Sequence, residues 1–560
     1  KDNQKYKVVW QVLQALRAHD DRFNATINQI ELNKKAPNNL QIIGVGGPGG
    51  DGDGSKSSGD GKDKPGVREV QGTFFFPELE EWKAALYAKI VKKCGSRRYL
   101  EDWAERVSEI AKRHSARIRL LLEQGDKKHT EAFAAFLAGL HQNINPAITQ
   151  DEAVEMLSQH LITRPVFDAL FENYAFSQHN PVSQSMQSML AALQDQALEK
   201  ERTDLEQFYT DVRRSVGGID NSEGRQTVIT RLYESFFKVA FPKMHERLGI
   251  VYTPVEVVDF ILHSVEDVLQ QEFKSSVSDK DVHIIDPFTG TGTFITRLLQ
   301  SGLIKPADLL RKYQHELHAN EIVLLAYYIA AINIEETFHS LTCGVKYPAK
   351  GEAKTPATPA YQPFEGIVLT DTFQLSETKG DLDEKMFPEN NRRVKRQRQS
   401  PIRVVIGNPP YSAGQDSEND GNKAIKYEFL DERIRSTYAE RSSATLVKNL
   451  YDSYVRAIRW ASDRINGKGI VGFVTNGSFI DGNNMDGLRG CLADEFTGIY
   501  VFNLRGNQRT AGEISRMEGG KIFGSGSRAG IAISLFVKNP AKAGKHEIYY
   551  HDIGDYLDRE

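Results

Sequence analysis

The sequence predicts an α + α/β protein, in which a helical region precedes an α/β sandwich built on a mostly parallel sheet. From about residue 77 to residue 214, apolar side chains recur at helical spacing almost throughout. After about residue 225, short β-branched runs alternate with helical stretches. Several of these runs are apolar on both faces, which is typical of strands in a sheet that is covered on both sides.

The helical region contains two clear apolar stripes, over residues 103–122 and 133–140. Thr149 or Asp151 is suited to cap the helix that follows, and Pro165 predicts that another helix starts there. The histidines of the region show no metal-ligand spacing. This part of the sequence therefore predicts helices but no chemistry of its own.

Two segments precede the helical region. Residues 1–43 carry one helical pattern, and residues 44–66 hold ten glycines among 23 residues. No GxxxxGK[ST] phosphate loop occurs in the second segment, so a flexible linker is the prediction. The chain begins with Lys1 and stops soon after a strand-like run at residues 546–550, so we expect an internal piece of a larger protein.

Composition excludes several classes of protein. The 71 Lys and Arg residues against 75 Asp and Glu residues give a charge of −4, so a polyanion must be bound by local basic patches. Cys94, Cys343 and Cys491 are far apart, which argues against a disulfide framework and a cysteine-based zinc site. The longest apolar stretch, residues 322–334, is too short and too polar to span a bilayer, and we expect a soluble protein in a reducing compartment.

The strands of the α/β part are predicted from its β-branched runs. They are expected over residues 283–286, 366–369, 403–406, 469–474, 499–502 and 530–537.

The first chemical motif follows the first of these strands. An apolar run enters a turn with two spaced glycines and then an apolar helix, in the sequence Asp286-Pro287-Phe288-Thr289-Gly290-Thr291-Gly292. Glycines let the backbone approach a ligand, and a helix N-terminus presents free N–H groups. The turn therefore favours a nucleotide-like cofactor over a merely tight connection.

An acidic residue is expected at the end of the next strand. Glu321 lies 35 residues beyond Asp286, and a carboxylate in this position can accept both hydroxyls of a ribose. Glu316 is a nearby competitor, and an ordinary glutamate at a helix start is an equal alternative for Glu321.

The most specific motif is Asn408-Pro409-Pro410-Tyr411, directly after the strand at residues 403–406. Two prolines fix the backbone and remove N–H donors, which leaves carbonyl oxygens as acceptors. An amide oxygen and a neighbouring carbonyl can together bind both hydrogens of an exocyclic –NH2 group, and Tyr411 offers a face for a planar base. We interpret the motif as a site for an amino group on a base.

Together the motifs resemble those of the amino-methyltransferases that use S-adenosylmethionine. Residues 251–259 resemble the motif that precedes the cofactor loop and holds the methionine carboxylate in that family. The order of the motifs resembles the gamma class of DNA adenine-N6 methyltransferases. Asn408 before the prolines and Tyr411 after them favour adenine N6 over cytosine N4. The α/β part is thus expected to be a Rossmann-like methyltransferase sheet.

The resemblance implies a role for each cofactor residue. Thr253 with Pro254 would meet the methionine carboxylate, Glu321 would take the ribose hydroxyls, and Asp371 would meet the adenine of the cofactor. The amino-acid and ribose end would be shaped by Asp286, Pro287, Phe288, Gly290 and Gly292.

The target side is implied in the same way. Asn408 and the Pro409 carbonyl would bind the target amino group, with Pro410 as part of the rigid turn. Tyr411 would stack on the extruded base. Phe523 would cover its other face, and packing in the core is an equal alternative for Phe523. The resemblance implies no metal in this site.

A looser resemblance extends to the rest of the chain. Residues 10–17 and 163–168 look like parts of the single-polypeptide Type ISP restriction-modification enzymes. The expected parts are the tail of a helicase-like ATPase over residues 1–43, a linker over 44–66, a helical coupler over 67–225 and the methyltransferase over 226–560.

The same resemblance implies partners. Double-stranded DNA is the expected substrate, and the nuclease, helicase-like ATPase and target-recognition domains of the same polypeptide are the expected protein partners. ATP and Mg²⁺ would be needed only in the parts missing here, so we expect no nuclease or ATPase site in this chain. A prokaryotic cytoplasmic location without a membrane is expected.

A basic cluster lies just before the Asn-Pro-Pro-Tyr strand. Arg392, Arg393, Lys395 and Arg396 could contact DNA phosphates beside the extruded base, and a solvated loop is an equal alternative.

Two other functions stay open at this level. Asn-Pro-Pro-Tyr also serves methyltransferases of RNA bases or of protein glutamine. The chain could also be mainly a structural coupler between a motor and a DNA-recognition domain.

Overall fold

The computed structural model describes residues 97–170, 176–193, 253–342, 361–377, 385–410, 426–445, 447–465, 467–520, 522, 529–544 and 546–557. All of them belong to one compact unit, Ser96–Val216 with Arg225–Glu560. The predicted helix in residues 1–43, the linker over residues 44–66, Tyr411 and Phe523 lie outside the described residues.

The helical region forms as predicted. Its described helices are α1 Arg97–Glu123, α2 Lys127–Asn143, α3 Gln150–Leu170, α4 Phe176–His179 and α5 Pro181–Leu193.

Thr149 is the cap of α3. Its hydroxyl accepts from the Glu152 amide at 3.2 Å, and the Glu152 carboxylate accepts from the Thr149 amide at 2.8 Å. The predicted start of a helix at Pro165 is wrong, because α3 continues through this residue. Residues on both sides of it, Ile162 and Phe167, are buried, so packing maintains the helix despite the missing N–H donor.

The α/β part contains an eight-stranded sheet in the order β3-β2-β1-β4-β5-β7-β6-β8. β7 is antiparallel to both of its neighbours, and the other pairings are parallel. The strands are β1 His283–Asp286, β2 Leu317–Glu321, β3 Ile367–Leu369, β4 Ile402–Gly407, β5 Gly469–Asn476, β6 Gly498–Arg505, β7 Ile531–Lys538 and β8 Glu547–Asp552. The sheet confirms the predicted fold class and all of the predicted strands.

Helices connect these strands. They are α6 Val255–Phe273, α7 Thr293–Gln300, α8 Leu309–Arg311, α9 Leu324–Thr342, α10 Gln374–Glu377, α11 Pro388–Gln399, α12 Glu428–Ile434, α13 Ser453–Arg464, α14 Asp486–Glu495 and α15 Gly512–Met517. Short π-helical turns lie at Lys312–Glu316 and Arg435–Ala439, and 3-10 turns at Lys448–Tyr451, Gly477–Phe479, Asn483–Met485 and Pro540–Lys542.

Helix α9 joins the helical region to the sheet. It contains most of the longest apolar stretch of the sequence and is buried along nearly its whole length. The Tyr328 hydroxyl is 3.0 Å from His160 in α3, and Asn180 donates to the Tyr327 hydroxyl at 3.2 Å. Among the described residues, no helix has the length and apolar character needed to cross a membrane.

Substitution of Gly366, directly before β3, tests how closely β2 and β3 approach each other. A Cβ at this position would lie 2.0 Å from the Leu317 carbonyl oxygen, so Gly366→Ala is expected to lower the free energy of unfolding by about 1–3 kcal/mol. Gly490 in α14 has no atom within 4 Å of its would-be Cβ, so Gly490→Ala is expected to raise it by about 0.5–1 kcal/mol. Urea unfolding measures both changes. An undiminished stability of the Gly366→Ala chain would contradict the close packing.

Candidate active site at the carboxyl edge of the sheet

Four neighbouring parallel strands carry the predicted site residues at their carboxyl ends. Asp286 ends β1 and Glu321 ends β2, while Asp371 lies two residues after β3 and Asn408 follows β4 directly. Since β3, β2, β1 and β4 are adjacent and run in the same direction, the four side chains lie along one edge. This is where ligands bind in such sheets.

The glycine turn between β1 and α7 is held by β2 and α9. Gly290 adopts a φ of 57° and Gly292 a φ of 88°, a region that favours glycine. A Cβ on Gly292 would lie 3.1 Å from the Ala330 Cα, so α9 passes directly behind the turn. Asn333 on the same helix donates to the Thr291 carbonyl at 2.9 Å. The turn is therefore fixed from outside as well as by its own sequence.

Glu321 binds the glycine turn through backbone amides. Its Oε2 accepts from the Gly290 amide at 2.7 Å, and its Oε1 accepts from the amides of Ile322 and Val323 at 2.9 and 2.8 Å. Burial raises the pKa of Glu321 to about 7, against the lowering effect of these three bonds. A buried carboxylate is thus present where a ribose acceptor was predicted.

Glu316, the competitor, lies at the start of β2 and pairs with Arg311 and with Lys312. It is therefore at the opposite end of the strand from the glycine turn. The grouping of Asp281, His283 and Glu316 offers possible metal ligands, but Glu316 already pairs with two cations there.

Asp286 has one carboxylate oxygen that no described group satisfies. Its Oδ1 accepts from the Phe288 amide at 3.1 Å, whereas its Oδ2 is buried without a hydrogen-bond partner. The pKa of Asp286 is raised to about 8, mainly by burial and to a smaller degree by the nearby Glu321, against the lowering effect of the Phe288 bond. A buried acceptor without a donor is a fit for a cationic or N–H-bearing ligand.

The turns after β1 and β3 are bonded to each other. Thr372 donates to the Pro287 carbonyl at 2.6 Å and accepts from Asn320 at 3.1 Å. The rings of Phe288 and Phe373 pack with centroids 5.4 Å apart. Asn320 and Thr372 were missed by sequence reasoning, although each is adjacent to a predicted acid.

Asp371 is buried and accepts four hydrogen bonds. Its Oδ1 accepts from the amides of Phe373 and Gln374 at 2.9 and 3.3 Å. Its Oδ2 accepts from Asn145 at 2.5 Å and from the Tyr427 hydroxyl at 2.8 Å. Burial raises the pKa of Asp371, while these bonds lower it. Asn145 and Tyr427 were also missed, since nothing in their local sequence signals this contact.

Asn408 is oriented by Thr253. The Asn408 Nδ2 donates to the Thr253 hydroxyl at 2.9 Å, which joins the turn after β4 to the residue two before α6. A Cβ on the preceding Gly407 would lie 2.8 Å from the Asp286 Oδ1, so the turn approaches Asp286 closely. Pro409 is buried and Pro410 is half-buried.

The basic cluster lies on helix α11 rather than on a loop. Arg393 is buried, with 6% of its side chain exposed, and donates to the Phe364 carbonyl at 3.3 Å. Its prediction as a phosphate contact is wrong, because its guanidinium points inward. Arg396 pairs with Glu365 at 2.6 Å, before β3 begins and hence at the end of the strand opposite the site. Arg392 pairs with Glu389 at 2.6 Å, and Lys395 is half-buried.

Two family models match the sequence. The coupler domain of Type ISP restriction-modification enzymes matches residues 99–224. The Eco57I restriction-modification methylase matches residues 318–508, which span the strands from β2 to β6. No curated protein matches the chain.

Solved structures of similar proteins cover nearly the whole chain. A nuclease-deletion mutant of the Type ISP enzyme LlaGI, solved with a DNA substrate mimic, is 46% identical with a TM-score of 0.76 over 99% of this chain. The ATP-dependent Type ISP enzyme LlaBIII, solved bound to DNA, is 45% identical with a TM-score of 0.78 over 99% of the chain. The chain belongs to the Type ISP family.

The match to a third structure is weaker. The Type ISP chain is 34% identical to the protein in the DrdV–DNA complex, with a TM-score of 0.73 over 87% of its length. It spans 40% of the LlaGI chain, 35% of the LlaBIII chain and 44% of the DrdV chain. The resemblance to the Type ISP enzymes is thereby confirmed. Residues 99–224 match the coupler, and the sheet belongs to a methyltransferase domain.

Replacing Asp286 is expected to flatten the pH dependence of folding in the unliganded Type ISP chain. Its pKa of about 8 exceeds that of an unfolded Asp, so the folded chain retains a proton that the unfolded chain releases. The free energy of unfolding should therefore fall between about pH 5 and pH 8, and Asp286→Asn should reduce this fall by up to about 1.4 kcal/mol per pH unit. Urea unfolding at pH 5 and at pH 8 measures the fall in the free energy of unfolding. Asp481→Asn, at an exposed position, should keep the wild-type slope, and the same slope in Asp286→Asn would contradict the argument.

Proposed function

We propose that the chain transfers a methyl group from S-adenosylmethionine to the N6 amino group of an adenine extruded from double-stranded DNA. It would act as the modification part of a larger ATP-dependent Type ISP polypeptide. The observation that carries the proposal is the Asn408 amide, which Thr253 holds in a turn whose Gly407 closely approaches the buried carboxyl of Asp286.

The residues fit the cofactor at three strand ends. The unsatisfied Oδ2 of Asp286 suits the ammonium of the methionine part, and binding that cation would favour the ionised carboxyl. Glu321, fixed by three amides, suits the ribose hydroxyls. Asp371 suits the amino group of the cofactor adenine. Thr253 and Pro254 would meet the carboxylate, and Pro287, Phe288, Gly290 and Gly292 would form the wall of the pocket.

The protein contributes position rather than a covalent intermediate. When bound, S-adenosylmethionine supplies an electrophilic methyl group on its sulfonium. The Asn408 Nδ2 donates a hydrogen bond to the Thr253 hydroxyl, so the Oδ1 of the same amide faces away from Thr253. This oxygen can accept a hydrogen bond from the target amine. The Pro409 carbonyl would accept the second hydrogen, so that the nitrogen lone pair is directed to the methyl. The proton lost after transfer would pass to these acceptors or to water.

The target base must leave the duplex to reach these atoms, which costs a few kcal/mol. Tyr411 would stack on one face of the base and Phe523 would cover the other.

Arg392, Lys395 and Arg396 stay proposed phosphate contacts, although Arg392 pairs with Glu389 and Arg396 pairs with Glu365. The nuclease, the helicase-like ATPase with its ATP and Mg²⁺, and the target-recognition domain would be supplied by other parts of the polypeptide. The setting proposed is the prokaryotic cytoplasm.

Transfer of a labelled methyl group to mixed DNA, RNA and protein tests the proposal. The expected product is N6-methyladenine in DNA, made by this chain joined to a target-recognition domain. Asn408→Ala should lower kcat at least about 100-fold with cofactor affinity nearly unchanged, because it removes one acceptor for the amine. Label in RNA or glutamine would reject the DNA substrate. Absence of both label and cofactor binding would leave a structural coupler, and full activity of Asn408→Ala would reject the assigned residue.

The role of Thr253 can be separated from cofactor binding. Thr253→Val has nearly the same shape but cannot accept from Asn408, so kcat for methyl transfer should fall about tenfold or more. Thr253→Ser keeps the hydroxyl and should stay close to wild type. Steady-state kinetics with varied S-adenosylmethionine distinguish the roles. A Thr253→Val chain that changes only KM for the cofactor would mean that Thr253 does not orient Asn408.

A further inference from the structure

We propose that Asn145 of the coupler is a positioning residue for the cofactor site, because it holds the carboxylate of Asp371 in place. The inference rests on the proposed function, in which Asp371 accepts from the amino group of the cofactor adenine. Asn145 lies in the turn between α2 and α3, 226 residues before Asp371 in the sequence. Its side chain is 1% exposed, and its Nδ2 donates to the Asp371 Oδ2 at 2.5 Å.

Asn145 is itself fixed by its own turn. Its Oδ1 accepts from the Ala147 amide at 2.8 Å, and its backbone amide donates to the Leu140 carbonyl at 3.2 Å. Since the amide oxygen is bonded within the coupler, the Nδ2 has a set direction toward Asp371. The coupler therefore contributes a rigid donor to a site whose acids lie at the carboxyl edge of the sheet.

The donors on Asp371 differ in their ability to move. A carboxylate offers about four acceptor sites, and four donors already bind Asp371. A cofactor amine must therefore replace or share one of them. The donors from Phe373 and Gln374 are backbone amides and cannot turn away. The side-chain amide of Asn145 is held through its Oδ1, and the backbone amide of the same residue is also bonded. The hydroxyl of Tyr427 can rotate about its C–O bond, so Tyr427 is the donor that gives way while Asn145 stays.

The coupler offers a matched control. Asn143, two residues earlier, also makes a hydrogen bond to the methyltransferase domain. Its Oδ1 accepts from Asn391 of α11 at 2.9 Å, so its partner is not Asp371. Asn143 and Asn145 are the same residue type and are 3% and 1% exposed. Their replacement by Ala should weaken the contact between the domains to a similar degree. A general effect on packing would thus appear in both variants.

Calorimetric titration with S-adenosylhomocysteine tests the proposal in the full 560-residue chain. Asn145→Ala should weaken binding about tenfold, as expected for loss of a hydrogen bond to a charged group, while Asn143→Ala should stay within about twofold of wild type. Tyr427→Phe should bind about threefold more tightly, because the amine no longer has to displace a hydroxyl. Should Asn145→Ala fail to fold, Asn145→Ser retains a shorter donor and should show a smaller loss.

A second ligand shows whether Asn145 acts through Asp371. The analogue of S-adenosylhomocysteine with unsubstituted purine as its base has a hydrogen in place of the adenine amine, so it offers no N–H group to Asp371. Asn145→Ala and wild type should bind this ligand within about twofold of each other. The positioning role would be overturned if Asn143→Ala and Asn145→Ala lost equal affinity for S-adenosylhomocysteine. It would also be overturned if Asn145→Ala lost equal affinity for both ligands. If wild type binds neither ligand, the proposed function itself fails. If wild type binds but Asn143→Ala and Asn145→Ala do not differ, only the positioning role of Asn145 fails.

Discussion

The burial of three carboxylates along one edge of the sheet is the constraint on which the site depends. Asp286, Glu321 and Asp371 are each almost fully enclosed, and a buried carboxylate is costly unless hydrogen bonds surround it. Most of those bonds come from backbone amides of the turns that follow the strands, so the acids hold these turns in place. Asn145 and Tyr427 add two side-chain donors to Asp371. The glycine turn is bonded by Glu321, and the segment after β3 is bonded by Asp371. Binding chemistry and loop structure are therefore consequences of the same three residues.

In the proposed function the edge has a cofactor side and a target side, and the two sides meet at β1 and β4. Gly407 brings the turn after β4 against the Asp286 carboxyl, and Thr253 connects this turn to the start of α6. A shift of β4 would consequently disturb the cofactor acid and the target amide together. This arrangement keeps the acceptor for the amine at a fixed place relative to the cofactor pocket, which is the main requirement for a direct transfer between two bound groups.

The fold and the strand ends could be predicted because their signals are local. β-branched runs mark β1 and β4, where Asp286 ends the first strand and Asn408 directly follows the second. Glu321 was predicted from its position after Asp286, since β2 contains no β-branched residue. Asn145 and Tyr427 could not be predicted, since their contact with Asp371 joins chain segments 226 and 56 residues apart. The prediction for Pro165 was wrong because packing outweighed the local preference for a helix start. That for Arg393 was wrong because successive residues of a helix point about 100° apart, so one member of a basic cluster can be buried while Arg392 and Arg396 are exposed, which composition does not reveal.

The polar bonds between the coupler and the methyltransferase domain bear on how such enzymes can recombine. Asn145 with Asp371, His160 with Tyr328, and Asn180 with Tyr327 all join buried groups across this boundary. A coupler exchanged from another protein would leave these buried groups without partners unless it supplied the same three side chains, at a cost of about 1–3 kcal/mol for each. We therefore expect the coupler and the methyltransferase to be exchanged only as a pair, with the junction of a functional chimera outside residues 143–391, a range that also encloses the bond between Asn143 and Asn391.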